Sequence, residues 1–133
     1  MKLIILDRDG VINQDRDDFV KSADEWIPIE GSMDAIAFLT QAGYTVAVAT
    51  NQSGIGRKYF TVQDLTEMHA KMHRLAVQAG GAIDGIWFCP HTAADNCDCR
   101  KPKPGMICDI LERFKADPAE TWLVGDSLRD LQA

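Results

Sequence analysis

No apolar run in this sequence approaches the ~20 residues a membrane-spanning helix needs. The apolar start, KLIIL at residues 2–6, meets Asp7, Arg8 and Asp9 too soon to act as a secretory signal. A cytoplasmic location with no membrane partner is therefore expected. A basic excess is missing too: 14 Lys and Arg stand against 20 Asp and Glu, for a net charge of −6. Gripping phosphate backbones needs a basic face, so no nucleic-acid partner is expected. Repeats, linkers and low-complexity stretches are absent as well. Aromatics make up only 8% of the chain, and Trp26, Trp87 and Trp122 read as packing residues, not as a stacking platform. What is there suits a single domain with a real core: 133 residues, 46% hydrophobic and 26% charged.

The four cysteines are not spaced as two disulfides. Cys89, Cys97 and Cys99 crowd one loop with His91 among them, while Cys108 sits in a helical pattern as a semi-buried thiol. In a reducing compartment such a cluster points to a bound metal. His69 and His73 also have metal-ligand spacing, but no carboxylate lies between them. They read as a solvated or boundary face of their helix.

Short apolar runs at 2–7, 44–50, 83–89 and 121–125 predict strands buried on both faces. Helical patterns separate them. Residues 32–41 turn Met33, Ile36, Ala37 and Leu39 inward. A helix opened by Thr61, with Asp64 three residues on as a capping box, carries Leu65, Met68, Met72, Leu75 and Ala79. A third begins at Pro104 or Gly105 and carries Ile107, Ile110, Leu111 and Phe114; Asp117 and Pro118 read as N-cap and first-turn proline. Strands alternating with helices predict an α/β fold with a central parallel sheet.

The polar residues of interest fall where these strands stop, the rim at which open parallel sheets bind ligands. The exits read Asp7-Arg8-Asp9-Gly10, Thr50-Asn51-Gln52-Ser53, Cys89-Pro90-His91 and Gly125-Asp126-Ser127. Carboxylates converging from Asp7, Asp9 and Asp126 repel one another unless a cation sits among them, and hard oxygen ligands suit Mg²⁺. That ion implies an anionic substrate, of which phosphate is the usual one. Thr50 offers a hydroxyl, and Lys101 or Lys103 a point charge for the transferring group. So neutralised, phosphorus can be attacked by one carboxylate, while a second protonates the leaving oxygen.

DRDG at 7–10, TNQSG at 50–54, RKPKPG at 100–105 and GDSLRD at 125–130 resemble, in order and placement, the four motifs of the haloacid dehalogenase-like phosphatases. The likeness spans nearly the whole chain, and CPH with CDCRKP resembles that family's zinc-loop branch. It implies a Rossmann-like three-layer sandwich over residues 1–133, without a large cap domain. Mg²⁺ would be held by Asp7, the Asp9 backbone carbonyl and Asp126. Asp7 would be the nucleophile, Asp9 the general acid/base, and Thr50 and Lys101 the groups stabilising the phosphoryl oxygens. Arg8, Asp15, Arg16, Asp17, Asp18, Asn51, Gln52, Ser53 and Arg100 would bind substrate; Asp130 reads either as a carboxylate behind the metal or as an exposed first-turn helix residue. Cys89, His91, Cys97 and Cys99 would close a tetrahedron around a structural Zn²⁺ in loop 89–99.

Within the branch, TNQSGIGRKYF and KPKPGM resemble the heptose bisphosphate phosphatases of lipopolysaccharide-core synthesis. The short CPHTAADNCDC loop resembles that of the histidinol-phosphate phosphatases of histidine synthesis. The first segments lie on the phosphate-binding turn and beside the recognition arginine, so they weigh more. The resemblance then implies removal of the 7-phosphate of a heptose 1,7-bisphosphate by a monomer, with histidinol phosphate the alternative substrate. A catalytically inactive, zinc-stabilised binding module is disfavoured because both Asp7 and Asp9 are present. The family fold continues past its fourth motif with a helix and a strand, so a chain cut short after that motif is expected, with 121–125 an uncovered edge.

Overall fold

The computed structural model describes residues 2–16, 18–92, 97, 99–101, 103 and 105–125. Four strands, β1 (Lys2–Leu6), β2 (Tyr44–Asn51), β3 (Gly85–Cys89) and β4 (Thr121–Val124), form one parallel sheet in the order β3-β2-β1-β4. The helices are α1 (Ser32–Gln41), the single turn α2 (Ser53–Gly56), α3 (Val62–Gln78) and α4 (Gly105–Phe114).

Strand alternation builds two cores. Ile4, Leu6, Val46 and Val48 face Ile36 of α1 and Leu65, Met68 and Met72 of α3. Leu3, Ile5, Ala47 and Ala49 face Met106 and Ile110 of α4. The handedness rule for parallel crossovers explains the split. From β1 the chain steps through α1 and α3 toward one sheet edge, then returns through α4 to the other, so α4 must cover the opposite face. That reversal is a topological switch beside β1, and it places a ligand crevice at the carboxyl end of β1.

Local signals account for the boundaries. Thr61 and Asp64 form the expected capping box, Thr61 accepting from the Asp64 amide and Asp64 from the Thr61 amide. Asp117 accepts from the Ala119 amide at 2.9 Å, with Pro118 opening a 3-10 turn through Glu120. Gly31 and Gly43 bracket α1 at φ 86° and 92°, in the left-handed region where a side chain strains.

Several details differ from the sequence reading. The third strand starts at Gly85, not at 83. The stripe of α3 continues through buried Ala76, while Ala79 is its half-buried cap. His69, expected at a boundary, is buried. Cys108 is exposed, as is Trp122, at 65%, on edge strand β4. The edge position explains Trp122, since β4 pairs with β1 alone among the described strands.

Candidate active site

Asp7 follows the last residue of β1, its amide donating to the Val124 carbonyl at 2.9 Å, which ties the strand exit to β4. Its Oδ1 lies 3.3 Å from the Lys101 ammonium and accepts from the Arg8 amide at 2.8 Å. The Lys101 side chain is only 2% exposed, so a point charge faces Asp7 from a largely dry setting. Lys103 is exposed instead.

Asn51 sets the position of Lys101. Its Oδ1 accepts from the Lys101 amide at 2.9 Å, and its Nδ2 donates to the Lys101 carbonyl at 3.2 Å. This two-point clamp on the backbone joins the end of β2 to the chain following Cys99. The side chain placed in the sugar pocket by sequence thus grips the lysine.

Beyond Asp7 the chain folds into a tight turn: the amides of Val11, Ile12 and Asn13 all donate to the Arg8 carbonyl, and Gly10 adopts φ 85°. The turn aims Asp9 back toward the rim. Its Oδ1 accepts from Arg8 Nη2 at 2.7 Å, Arg8 Nε at 3.0 Å and Asn13 Nδ2 at 2.9 Å. Its Oδ2 accepts from Gln52 Nε2 at 3.0 Å, and the same nitrogen donates to the Thr50 hydroxyl oxygen at 2.9 Å. Arg8 and Gln52, both assigned to substrate by the sequence, therefore point inward, 0% and 3% exposed. Thr50 and Ser53 are buried at the same exit.

Behind Arg8 stands His69. Its Nε2 lies 3.3 Å from Arg8 Nη1, which also reaches the Met68 sulfur at 3.7 Å. Burial first, then the Arg8 charge, pushes the His69 pKa down to about 3. Sequence reasoning missed His69 and Asn13. The first could have been found by helical arithmetic, since residue 69 follows Leu65 by four and precedes Met72 by three.

A second set of groups lies on loop 14–25. Arg16 donates to both Asp18 oxygens, at 2.9 and 3.1 Å, and Lys21 reaches Asp18 at 3.2 Å. These hydrogen bonds hold the Asp18 carboxyl well below the usual range and raise Arg16. Asp15 accepts from the Arg16 amide at 2.8 Å. Phe19, at φ 69°, sets its ring 5.4 Å from that of Tyr59, which docks the loop beside α2. Asp17, Asp126 and Asp130 lie outside the described residues.

The ligand atoms of Cys89, His91, Cys97 and Cys99 all fall within 4.8 Å of one another. Cys89 to His91 and His91 to Cys99 measure 3.5 Å, Cys89 to Cys97 3.4 Å and Cys97 to Cys99 3.6 Å. A zinc tetrahedron with metal–sulfur bonds near 2.3 Å has edges of about 3.5–3.8 Å. The sulfurs of Cys89 and Cys99 are closer, in direct contact. A disulfide accounts for that pair alone; a metal ion accounts for Cys97 and His91 arriving at the same point. The donor set is thus compatible with structural zinc. Its loop is pinned where Gly56 donates to the Pro90 carbonyl at 2.9 Å, and a Cβ on Gly56 would come within 2.6 Å of that oxygen. Arg100, half-buried, and Lys101 follow directly on Cys99.

Comparison with known proteins gives this arrangement its setting. Residues 3–133 match the family model of the haloacid dehalogenase-like hydrolases. A Neisseria meningitidis protein named D-glycero-beta-D-manno-heptose-1,7-bisphosphate 7-phosphatase is 87% identical over 133 residues, all of this chain and 71% of the relative. A Bordetella bronchiseptica protein of the same name is 60% identical over the whole chain and 74% of the relative. The crystal structure of a D,D-heptose 1,7-bisphosphate phosphatase from B. bronchiseptica, complexed with magnesium and phosphate, superposes with a TM-score of 0.97 at 60% identity. It covers 99% of this chain and 74% of that one. On the strength of these matches, the chain belongs to the haloacid dehalogenase-like hydrolases.

Proposed function

We propose that the protein is a phosphatase that removes the 7-phosphate of D-glycero-β-D-manno-heptose 1,7-bisphosphate, in the cytoplasmic route to lipopolysaccharide-core heptose. The observation carrying the reaction type is the Asp7 carboxylate 3.3 Å from a buried lysine, with a second, fully hydrogen-bonded carboxylate two residues on. The substrate rests on the names of the relatives at 87% and 60% identity.

An Asp7 oxygen attacks phosphorus as the bond to the sugar O7 breaks, and Asp9 delivers its proton to that oxygen. Asp9 then takes a proton from water, which attacks the aspartyl-phosphate, frees Asp7 and releases inorganic phosphate. Lys101 and the Thr50 hydroxyl face the charge on the phosphoryl oxygens. The Asp7 carboxylate and the Asp9 backbone carbonyl are hard oxygen donors at one strand exit, a set that would hold Mg²⁺, and Asp126 would be the further ligand. When bound, that ion neutralises phosphoryl charge and lets an anion approach an anion. Cys89, His91, Cys97 and Cys99 would hold zinc, which would order the loop leading to Arg100, the residue that would meet the phosphate that is not cleaved.

Phosphate release from the heptose bisphosphate, measured against histidinol phosphate, tests the substrate. The heptose compound is expected to be preferred and to require added Mg²⁺ after chelation. Preference for histidinol phosphate would replace the substrate, and full activity in chelator would end the mechanism. Asp7→Asn should abolish turnover with the fold intact by circular dichroism.

A further inference from the structure

The polar groups packed behind Asp9 are more than a general acid/base requires. A carboxylate needs only to reach the leaving oxygen, yet both oxygens of Asp9 are held by three side chains, two from its own turn and one from beyond the end of β2. We propose that Arg8, Asn13 and Gln52 are positioning residues that fix the direction of the Asp9 carboxylate, and that His69 braces Arg8 from behind. This rests on the reading of Asp9 as the acid/base, and none of the four is asked to touch substrate.

Three observations carry it. First, Arg8 is fully buried, and the described carboxylate within salt-bridge distance of its guanidinium is that of Asp9. A guanidinium only donates, so the His69 Nε2 at 3.3 Å must accept, and the His69 proton sits on Nδ1. A neutral imidazole in that tautomer braces Arg8 without adding a charge, as its depressed pKa of about 3 allows. Second, Gln52 spends one nitrogen on both Asp9 and the Thr50 hydroxyl, which couples the acid/base to a group facing the phosphoryl oxygens. The Gln52 amide is held in turn by the Cys89 carbonyl at 2.8 Å, so the coupling is anchored at the end of β3. Third, Asn13 turns its amide nitrogen to Asp9 and to the Gln14 carbonyl, which leaves its buried Oδ1 without a partner among the described residues. An unsatisfied buried acceptor is unfavourable, so the orientation is set by the two acceptors that the amide nitrogen reaches, Asp9 and the Gln14 carbonyl.

The test exploits the leaving group. The sugar alkoxide needs a proton from Asp9, whereas p-nitrophenolate leaves without one. Gln52→Met keeps the side-chain volume and creates no buried charge; Arg8→Lys keeps the charge and removes the fork. Each is assayed with the heptose bisphosphate in steady state and with p-nitrophenyl phosphate in a first-turnover burst, and its folding is checked by thermal melting. A positioning role predicts that kcat on the sugar falls about 10- to 100-fold at nearly constant KM, while the rate of the nitrophenolate burst holds within about threefold. Equal losses on both substrates would assign these residues to general structure or, for Gln52, to the phosphoryl site through Thr50, and would overturn the positioning of Asp9, as would unchanged turnover. Should Arg8→Lys fail to fold, Gln52→Met decides. Wild-type protein that releases no phosphate from either compound overturns the phosphatase reading itself; active wild type with unaffected variants overturns the positioning role alone.

Discussion

Two arginine–aspartate pairs in the first 20 residues lie at similar distances in opposite surroundings. Arg8 meets Asp9 at 2.7 Å with side chains 0% and 23% exposed; Arg16 meets Asp18 at 2.9 Å with side chains 42% and 62% exposed. Distance alone would give them similar energies, but solvent separates them. The outer pair is screened, and Lys21 lies 3.2 Å from Asp18 while Glu25 lies 3.9 Å from Arg16, so its partners can be exchanged. In the inner pair the guanidinium has lost its water while the carboxylate keeps only part of its own, and removing Asp9 strands a buried charge. On the proposed function, a carboxylate that protonates a leaving oxygen gains from such fixity, and a loop that binds a polyhydroxylated substrate gains from exchange. One pair follows directly on Asp7, the proposed nucleophile, and the other lies eight residues further on.

If that division holds, exchanging Asp9 for Asn should have the largest effect. It removes the proton donor, and turnover should fall by about 10²–10⁴-fold with a much smaller change in KM. Steady-state kinetics on the heptose bisphosphate checks this, and a pure KM effect would place Asp9 among the binding groups. Next comes Arg8→Met, which leaves Asp9 without its buried counter-ion. A loss of about 3–5 kcal/mol is expected in urea unfolding. Arg16→Met, measured alongside, should leave the midpoint almost unmoved. Equal shifts would mean that burial does not distinguish the pairs.

The sequence made the rim legible and the support behind it illegible, and the reason is physical. Strand ends are marked by where apolar runs stop, so Asp7, Thr50 and Cys89 could be placed on one edge without coordinates. The capping box at Thr61 is equally local. Burial of a charged side chain carries no such mark: Arg8 sits between two aspartates and reads as a substrate-binding group until the Gly10 turn and the α3 stripe are seen to enclose it. Asn51 and Gln52 were legible as polar residues in the right turn, but their partners, the Lys101 backbone and Asp9, are 50 and 43 residues away, and only the fold selects them. His69 stands between these cases. Its helical phase was readable, and its polarity argued for the wrong face.

A smaller effect follows from His69. Its folded pKa of about 3 lies below the ordinary 6.5, so between those values the unfolded chain binds the extra proton. Stability should therefore rise with pH across that window and be lost as pH falls through it, at no more than about 1.4 kcal/mol per pH unit. The groups acting on the ring are Arg8, His73 and Asp9, of which only Asp9 favours its protonation. His69→Gln should flatten the dependence between pH 6.5 and 3, as measured by urea midpoints at a series of pH values. An unchanged slope would place the proton uptake elsewhere and weaken the account of Arg8's brace.

The smallest effect belongs to the outer pair. Arg16 and Lys21 depress the Asp18 carboxyl below its ordinary 3.8, so any stability it supplies is complete above that pH and is lost only as the solution becomes more acid. Because both partners are exposed, Asp18→Asn should leave the urea midpoint at neutral pH within error, and 1 M salt should mimic the substitution. Its consequence should appear in substrate binding. Without Asp18, Arg16 loses the carboxylate that orients its fork, and KM for the heptose bisphosphate should rise while kcat stays near the wild-type value. A fall in kcat as large as that of Asp9→Asn would show that the loop helps aim the chemistry, and the contrast between a fixed inner pair and an exchangeable outer one would fail.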